Sequence, residues 1–315
     1  MRKLPLLAIP LLLLAGCTSE DLPQQPGAGE YQTPLTVESV TIDSQVHTRA
    51  DAGYDDLADN TSIGLFLEGT AAGTYTALNN RTYKRSGAKI VPTATAQTIY
   101  LGAYDANVCA YYLPTLNITN KTAVALASAN YTAAADLVYA KNQTVNGTTA
   151  GCKVSFKMIH AYAQIELSFT RDNYPNTCKI TTVTLKNNSL AKSASLNMAT
   201  EVLGTPVVGA SQAFYTNTAA TATGITIAAT GDTHKVNLLM VPCTLANVSG
   251  TGLSMTFNVD GKDMTMNIPY ATLGSLVAGN KYQITAKLKG TEITVSSVQV
   301  AQWTAKSIGE YTPEP

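Results

Sequence analysis

Two residues stand where their type and setting point to covalent chemistry: Cys17 and Arg49. Cys17 closes the stretch Leu14-Ala15-Gly16-Cys17, at the end of an apolar run that follows Arg2-Lys3 and is interrupted only by Pro5 and Pro10. The run is too short to span a bilayer and has the layout of a signal peptide. Small residues before the cysteine admit a peptidase, and its thiol can accept lipid, so the stretch reads as a bacterial lipobox. At ~0.8 kcal/mol per buried CH₂, stable anchoring takes more than one acyl chain, which a lipoprotein amino terminus supplies. Arg49, in Thr48-Arg49-Ala50, follows a strand-like run from Leu35 to Ile42 and precedes Asp51, Asp55, Asp56 and Asp59. An extended polar junction of this kind can enter a protease cleft, while Thr48-Arg49-Ala50 taken alone reads as a surface loop.

Other candidate chemistries lack their spacing. The aspartate cluster does not follow the D-x-D-x-D-G pattern of a calcium loop and reads as a solvated linker. Cys109, Cys152, Cys178 and Cys243 are far apart with no C-x-x-C pair, so a zinc knuckle or redox motif is not expected. They allow three disulfide connectivities or a set of buried thiols. His47, His160 and His234 have no metal-ligand spacing. No G-x-S-x-G, H-E-x-x-H or Walker loop occurs, so neither catalysis nor a cofactor is indicated. Tyr111-Tyr112 and the single Trp303 could line a glycan site or pack in a core. Net charge is zero without a long basic run, which argues against nucleic acid as a partner.

The elements that must position these residues read as strands. Only 13% of residues are charged, about half the usual share, while Thr, Ala, Asn, Ser and Tyr are abundant. After a Pro- and Gly-containing tether at 18–33, short alternating runs predict strands near 35–42, 62–67, 98–104, 109–112 and 136–140. A long strand is predicted over 153–170, then others near 179–186, 235–241, 253–259, 263–268, 281–289 and 292–300. Asp260-Gly261 suits a tight type I′ hairpin. Lys289-Gly290-Thr291 reads as a further turn, and short helical turns are possible near 124–135 and 270–277. The fold class is all-β, with two sandwiches meeting near 170–175. The chain thus divides into a signal peptide at 1–17, a tether and first strand at 18–49, and domains at 50–171 and 172–315. No internal repeat is evident.

Together these features resemble the fimbrillin (Mfa-like, type V pilin) family of Bacteroidetes. The carriers are the Cys17 lipobox, Thr48-Arg49-Ala50, Ser62-Ile63-Gly64-Leu65-Phe66, the stretch from Phe156 to Ile165 (FKMIHAYAQI), Leu238-Leu239-Met240-Val241-Pro242, Gly279-Asn280-Lys281-Tyr282-Gln283-Ile284 and the terminal strand leading to Trp303. Glu20-Asp21 also looks like the surface-export tag of lipoproteins from that phylum. The resemblance implies two transthyretin-like Greek-key β-sandwich domains and a structural role for His160. It implies a precursor anchored in the outer membrane through Cys17. An arginine-specific protease then cuts after Arg49, removes anchor and first strand together and leaves Ala50 as the new amino terminus. The exposed groove would accept a strand from another copy or a related pilin. The expected donor is Glu292–Trp303, with Ile293, Val295, Val298, Val300 and Trp303 as its apolar set, outside the subunit's own core. The pair Ser296-Ser297 breaks strict alternation, so a bulge is expected there. The expected function is therefore a fimbrial subunit, a stalk in preference to a tip or anchor. A membrane-retained glycan-binding lipoprotein and, more remotely, a β-sandwich hydrolase are the alternatives.

Overall fold

A computed structural model describes residues 33–42, 57–71, 74–148, 152–176, 178–216, 224–289 and 292–303. Cys17, Arg49, Ala50, Asp51, Asp55, Asp56 and His47 lie outside the described residues. The protein is all-β. Its longer strands are β1 (Thr36–Ile42), β2 (Ser62–Gly69), β3 (Leu78–Ser86), β4 (Lys89–Pro92), β5 (Ala106–Tyr112), β6 (Val124–Ala127), β7 (Val138–Val145) and β8 (Lys153–His160). They continue with β9 (Ala163–Asp172), β10 (Lys179–Lys186), β11 (Ala191–Asn197), β12 (Ser211–Thr216) and β13 (Thr233–Met240). The last four are β14 (Thr251–Val259), β15 (Lys262–Pro269), β16 (Asn280–Lys289) and β17 (Glu292–Gln302). Of the possible helical turns, residues 124–135 hold one 3₁₀ turn at Ala133–Ala135 after a strand, and 270–277 form no helix.

In the first half, seven strands close into a barrel in the order β7-β8-β1-β4-β3-β2-β5. Closure leaves no free edge, which suits strands with polar outer faces and apolar inner ones. In β8, Val154, Phe156 and Met158 point inward, while Lys153, Ser155 and Lys157 face solvent. Gly64 of β2 makes room for the Tyr111 ring: a Cβ there would lie 2.2 Å from Tyr111 Cε1.

The second half stacks two sheets. One runs β17-β16-β9-β13, and the other β12-β10-β14-β15. Ile165, Leu167 and Phe169 of β9 are fully buried between them, and Phe169 meets Phe257 of β14 edge-to-face at 5.1 Å. Asp260 and Gly261 both adopt positive φ (48° and 81°), the type I′ hairpin that the sequence predicts between β14 and β15. The Asp260 carboxylate also accepts the backbone N–H groups of Cys178 and Lys179 at 2.9 and 3.0 Å, pinning the start of β10.

The strand predicted over 153–170 is two strands. β8 belongs to the barrel and β9 to the second half, and the chain crosses at Ala161–Tyr162. The expected boundary near 170–175 thus falls at the far end of β9, within the second half's sheet. A third apolar cluster fills the junction, including Phe66, Tyr111, Leu126, Tyr162, Leu239 and Trp303. There β6, from the first half of the chain, pairs with β11 from the second.

Candidate assembly site: the first and last strands

β1 is a structural member of the barrel. It runs parallel to β8, from Thr36 opposite Lys153 to Ile42 opposite Met158, and Val37 pairs with Ile90 of β4 on its other side. Leu35, Val37, Val40 and Ile42 are each at most 4% exposed and join Val154, Phe156 and Met158 in the core. The register with β8 shifts between Val37 and Ser39, leaving Glu38 as an extra residue. That bulge keeps both apolar pairs facing inward although three positions separate Val37 from Val40. Just before the strand, Leu35 N–H donates to Ile99 O at 2.8 Å and Thr36 N–H to Cys152 O at 2.9 Å. The Lys153–Glu38 ion pair (2.7 Å) is about half exposed on both sides and adds little.

β17 is an edge strand, paired only with β16, from Asn280 opposite Gln302 to Lys289 opposite Glu292. The bulge expected at Ser296-Ser297 is present. Ser297 faces Thr285, Val295 faces Ala286, and Ser296 is the extra residue, its hydroxyl 3.2 Å from Thr285 O. The bulge again turns all four aliphatic side chains toward one face. The expectation that these side chains lie outside the subunit's own core needs correction. Ile293 is buried and Val295 and Val298 pack partly against the core of the second half; only Val300 is well exposed, at 54%. The physical reason is the short connection: Lys289 and Glu292 are paired, so β17 folds straight back onto β16.

Trp303, just after β17, is 3% exposed. Its indole stacks on the His160 ring, with centroids 3.9 Å apart and planes 6° from parallel. His160 Nδ1 lies 2.9 Å from Asp136 Oδ1, with both side chains buried. Trp303 N–H donates to Gly279 O, and Gly279 N–H to Tyr162 O, each at 2.9 Å. His160 therefore serves as a structural residue at the bend between β8 and β9. Asp136, its partner, carries no signal of that role in the sequence.

Of the aromatic residues considered for glycan contact, Tyr111 and Trp303 are buried. Tyr111 is fully buried, its hydroxyl donating to Asn80 Oδ1 at 2.7 Å and accepting from Ile118 N–H at 3.2 Å. Burial pushes that phenol up to about 12. Tyr112 is half-buried. The four described cysteines are free thiols, three of them buried. Burial pushes Cys109 up to about 12 and Cys152 and Cys178 to about 11, which keeps them unreactive. Asp59 is a turn residue whose carboxylate accepts the Gly87 N–H at 2.9 Å. Among the described residues, no three His, Cys, Asp or Glu side chains are grouped to hold a metal ion, and no helix is long and apolar enough to cross a membrane.

Comparison with known proteins gives these strands a context. A sequence profile described as fimbrillin-like matches residues 48–303. The chain belongs to the fimbrillin-like family. A search of curated proteins returns no match. Among solved structures, a Bacteroides ovatus protein named for a proposed role in cell adhesion superposes with a TM-score of 0.60 at 18% identity, covering 87% of this chain and 99% of its own. A similarly named protein from Bacteroides uniformis gives 0.57 at 20% identity, covering 87% and 98%. At these identities the likeness establishes the fold. The family match begins at Thr48, so β1, a full member of the barrel, lies outside the matched span.

Proposed function

We propose that this fimbrillin-like protein is a structural subunit of a cell-surface fimbria that supports adhesion, with a stalk position favoured. It is exported as a lipoprotein through Cys17, cleaved between Arg49 and Ala50 by an arginine-specific protease, and polymerised with copies of itself or related pilins by strand exchange. One observation carries this reading. β1, whose inward side chains are barrel core, lies on the opposite side of Arg49 from all the strands it packs against. A cut there turns a covalent core strand into a removable one.

The magnitudes agree. Four aliphatic side chains at about 1.5–3 kcal/mol each make a gross burial term on the order of 10 kcal/mol. Against a total domain stability of about 5–15 kcal/mol, an empty groove is costly, so a replacement strand is strongly favoured. Each subunit fills the next head-to-tail, and the contact repeats without closing on itself.

The fold also favours a single cut. The described arginines are all in strands and donate to backbone carbonyls. Arg81 reaches Ala96 O at 2.8 Å, and Arg85 reaches Leu57 O and Gly87 O. Arg171 holds Tyr174 O, Ile227 O and Ala228 O. The backbone of each is already paired in a sheet, which keeps it from entering a protease cleft.

Replacing Arg49 with Ala is expected to leave full-length lipidated precursor at the surface and no filaments. Amino-terminal sequencing of wild-type surface protein is expected to begin at Ala50. Assembled filaments that retain a Cys17 terminus would contradict the proposal.

A further inference from the structure

β17 is a near copy of β1 in sequence as well as in form. Leu35-Thr36-Val37-Glu38-Ser39-Val40-Thr41-Ile42 aligns without a gap on Ile293-Thr294-Val295-Ser296-Ser297-Val298-Gln299-Val300, with four of eight residues identical. The inward set falls at matching positions: Leu35 with Ile293, Val37 with Val295, Val40 with Val298 and Ile42 with Val300. Sizes agree as well, since two pairs are identical, one is an isomer and one differs by a methylene. Both strands carry a bulge at the same place, with Glu38 the extra residue in β1 and Ser296 in β17. The bulge makes the coincidence informative. A plain alternating strand would fit any groove at several registers two residues apart, whereas a strand with a 2-3-2 apolar spacing presents all four side chains inward in only one. The chain thus carries this eight-residue strand pattern twice.

We infer that the barrel groove takes β17 of a second copy in the direction and register of β1. Ile293 takes the place of Leu35, Val295 of Val37, Val298 of Val40 and Val300 of Ile42. The inference rests on the strand-exchange reading and specifies its register. The donor then runs parallel to β8 and antiparallel to β4. Val298 sits opposite Phe156, Val300 opposite Met158 and Val295 opposite Val154, the pairings that β1 makes. Val300, exposed in the single subunit, becomes core in the filament. Because the registers coincide, the groove needs no reshaping between its two occupants.

The register has a covalent test. Ser39 of β1 pairs with Ser155 of β8, so Ser297 of the donor is assigned to the same partner. Neighbouring strands lie about 4.8 Å apart, within the Cα range of a disulfide, about 4.4–6.8 Å. In its own subunit Ser297 instead faces Thr285. Full-length protein carrying Ser155→Cys and Ser297→Cys, processed and assembled under oxidising conditions, is expected to give a ladder of covalent multimers on a non-reducing gel. The pairs Ser155→Cys with Thr294→Cys and Ser155→Cys with Gln299→Cys are expected to give at least tenfold less. A ladder from position 294 or 299 in place of 297 overturns the register and leaves strand exchange by β17 standing. Filaments with no ladder from any pair overturn both.

Discussion

β1 and β17 share a sequence pattern and a bulge but are held in different ways. β1 lies between two neighbours in a closed barrel, with every inward side chain at most 4% exposed. β17 lies at an open edge with one neighbour, and Val300 is 54% exposed. It is held by its ladder with β16 along its length, by Ile293 buried at one end and by Trp303 against His160 at the other. Losing β1 therefore opens a hole, whereas releasing β17 bares an edge. The same eight-residue pattern has the larger burial to gain in the barrel, the direction that the proposed strand exchange requires.

The largest expected effect comes from one substitution made at the two equivalent positions. Ile42→Asp places an unpaired carboxylate in the barrel core, and a cost of at least about 4 kcal/mol is expected to unfold the first half of the precursor. Val300→Asp, at an exposed site, is expected to change subunit stability by about 0.5 kcal/mol or less while abolishing filaments. Thermal denaturation of the two purified variants, with electron microscopy for assembly, measures both. Equal losses of stability would break the comparison.

Trp303→Ala is next. A buried Trp truncated to Ala costs about 3–5 kcal/mol. The loss is expected in the unfolding of the second half, and the strand should exchange its amide hydrogens faster along 292–302. Hydrogen exchange read by mass spectrometry separates this from a uniform loss of protection. Ile293 and Trp303 are both buried in the subunit itself, so the terminal segment contributes to the subunit's own stability.

A smaller effect concerns Cys152, whose carbonyl accepts from Thr36 and whose buried thiol is held near 11. Removing residues 1–49 takes away that cover. Alkylation of Cys152 at pH 8 is expected to rise at least tenfold, with Cys109 and Cys178 unchanged, as read by peptide mapping. Unchanged reactivity at Cys152 would mean that the groove collapses when β1 leaves. The smallest effect is at the one position where donor and original strand differ in size. Val300→Ile restores the missing methylene, worth ~0.8 kcal/mol, or about fourfold slower release of subunits from filaments.

Parts of this were plain in the sequence. The all-β class follows from alternating runs, and the Asp260-Gly261 hairpin from the positive φ that those residues accept. The break between β8 and β9 was also written there. Apolar positions are even-numbered through Val154, Phe156 and Met158 and odd-numbered through Ala163, Ile165, Leu167 and Phe169, a change of phase that one continuous strand cannot accommodate. β3 left almost no trace, because Tyr83 is its only buried residue among nine. The repeat escaped notice because each bulge interrupts the period of two by which strands are recognised. Asp136 could not be paired with His160 by spacing, since 24 positions separate them and it is the antiparallel pairing of β7 with β8, with Val138 opposite His160, that brings them together.

Competition for the groove tests the exchange most directly. Subunit beginning at Ala50, refolded with a synthetic peptide spanning Glu292–Trp303 or one spanning Pro34–Asp43, is expected to bind either peptide at a single site. Each peptide should displace the other and raise the melting temperature with its concentration, as binding to the folded state alone requires. Both peptides bound at once, or a peptide of 292–303 that neither binds nor displaces 34–43, would contradict the exchange of the first strand for the last.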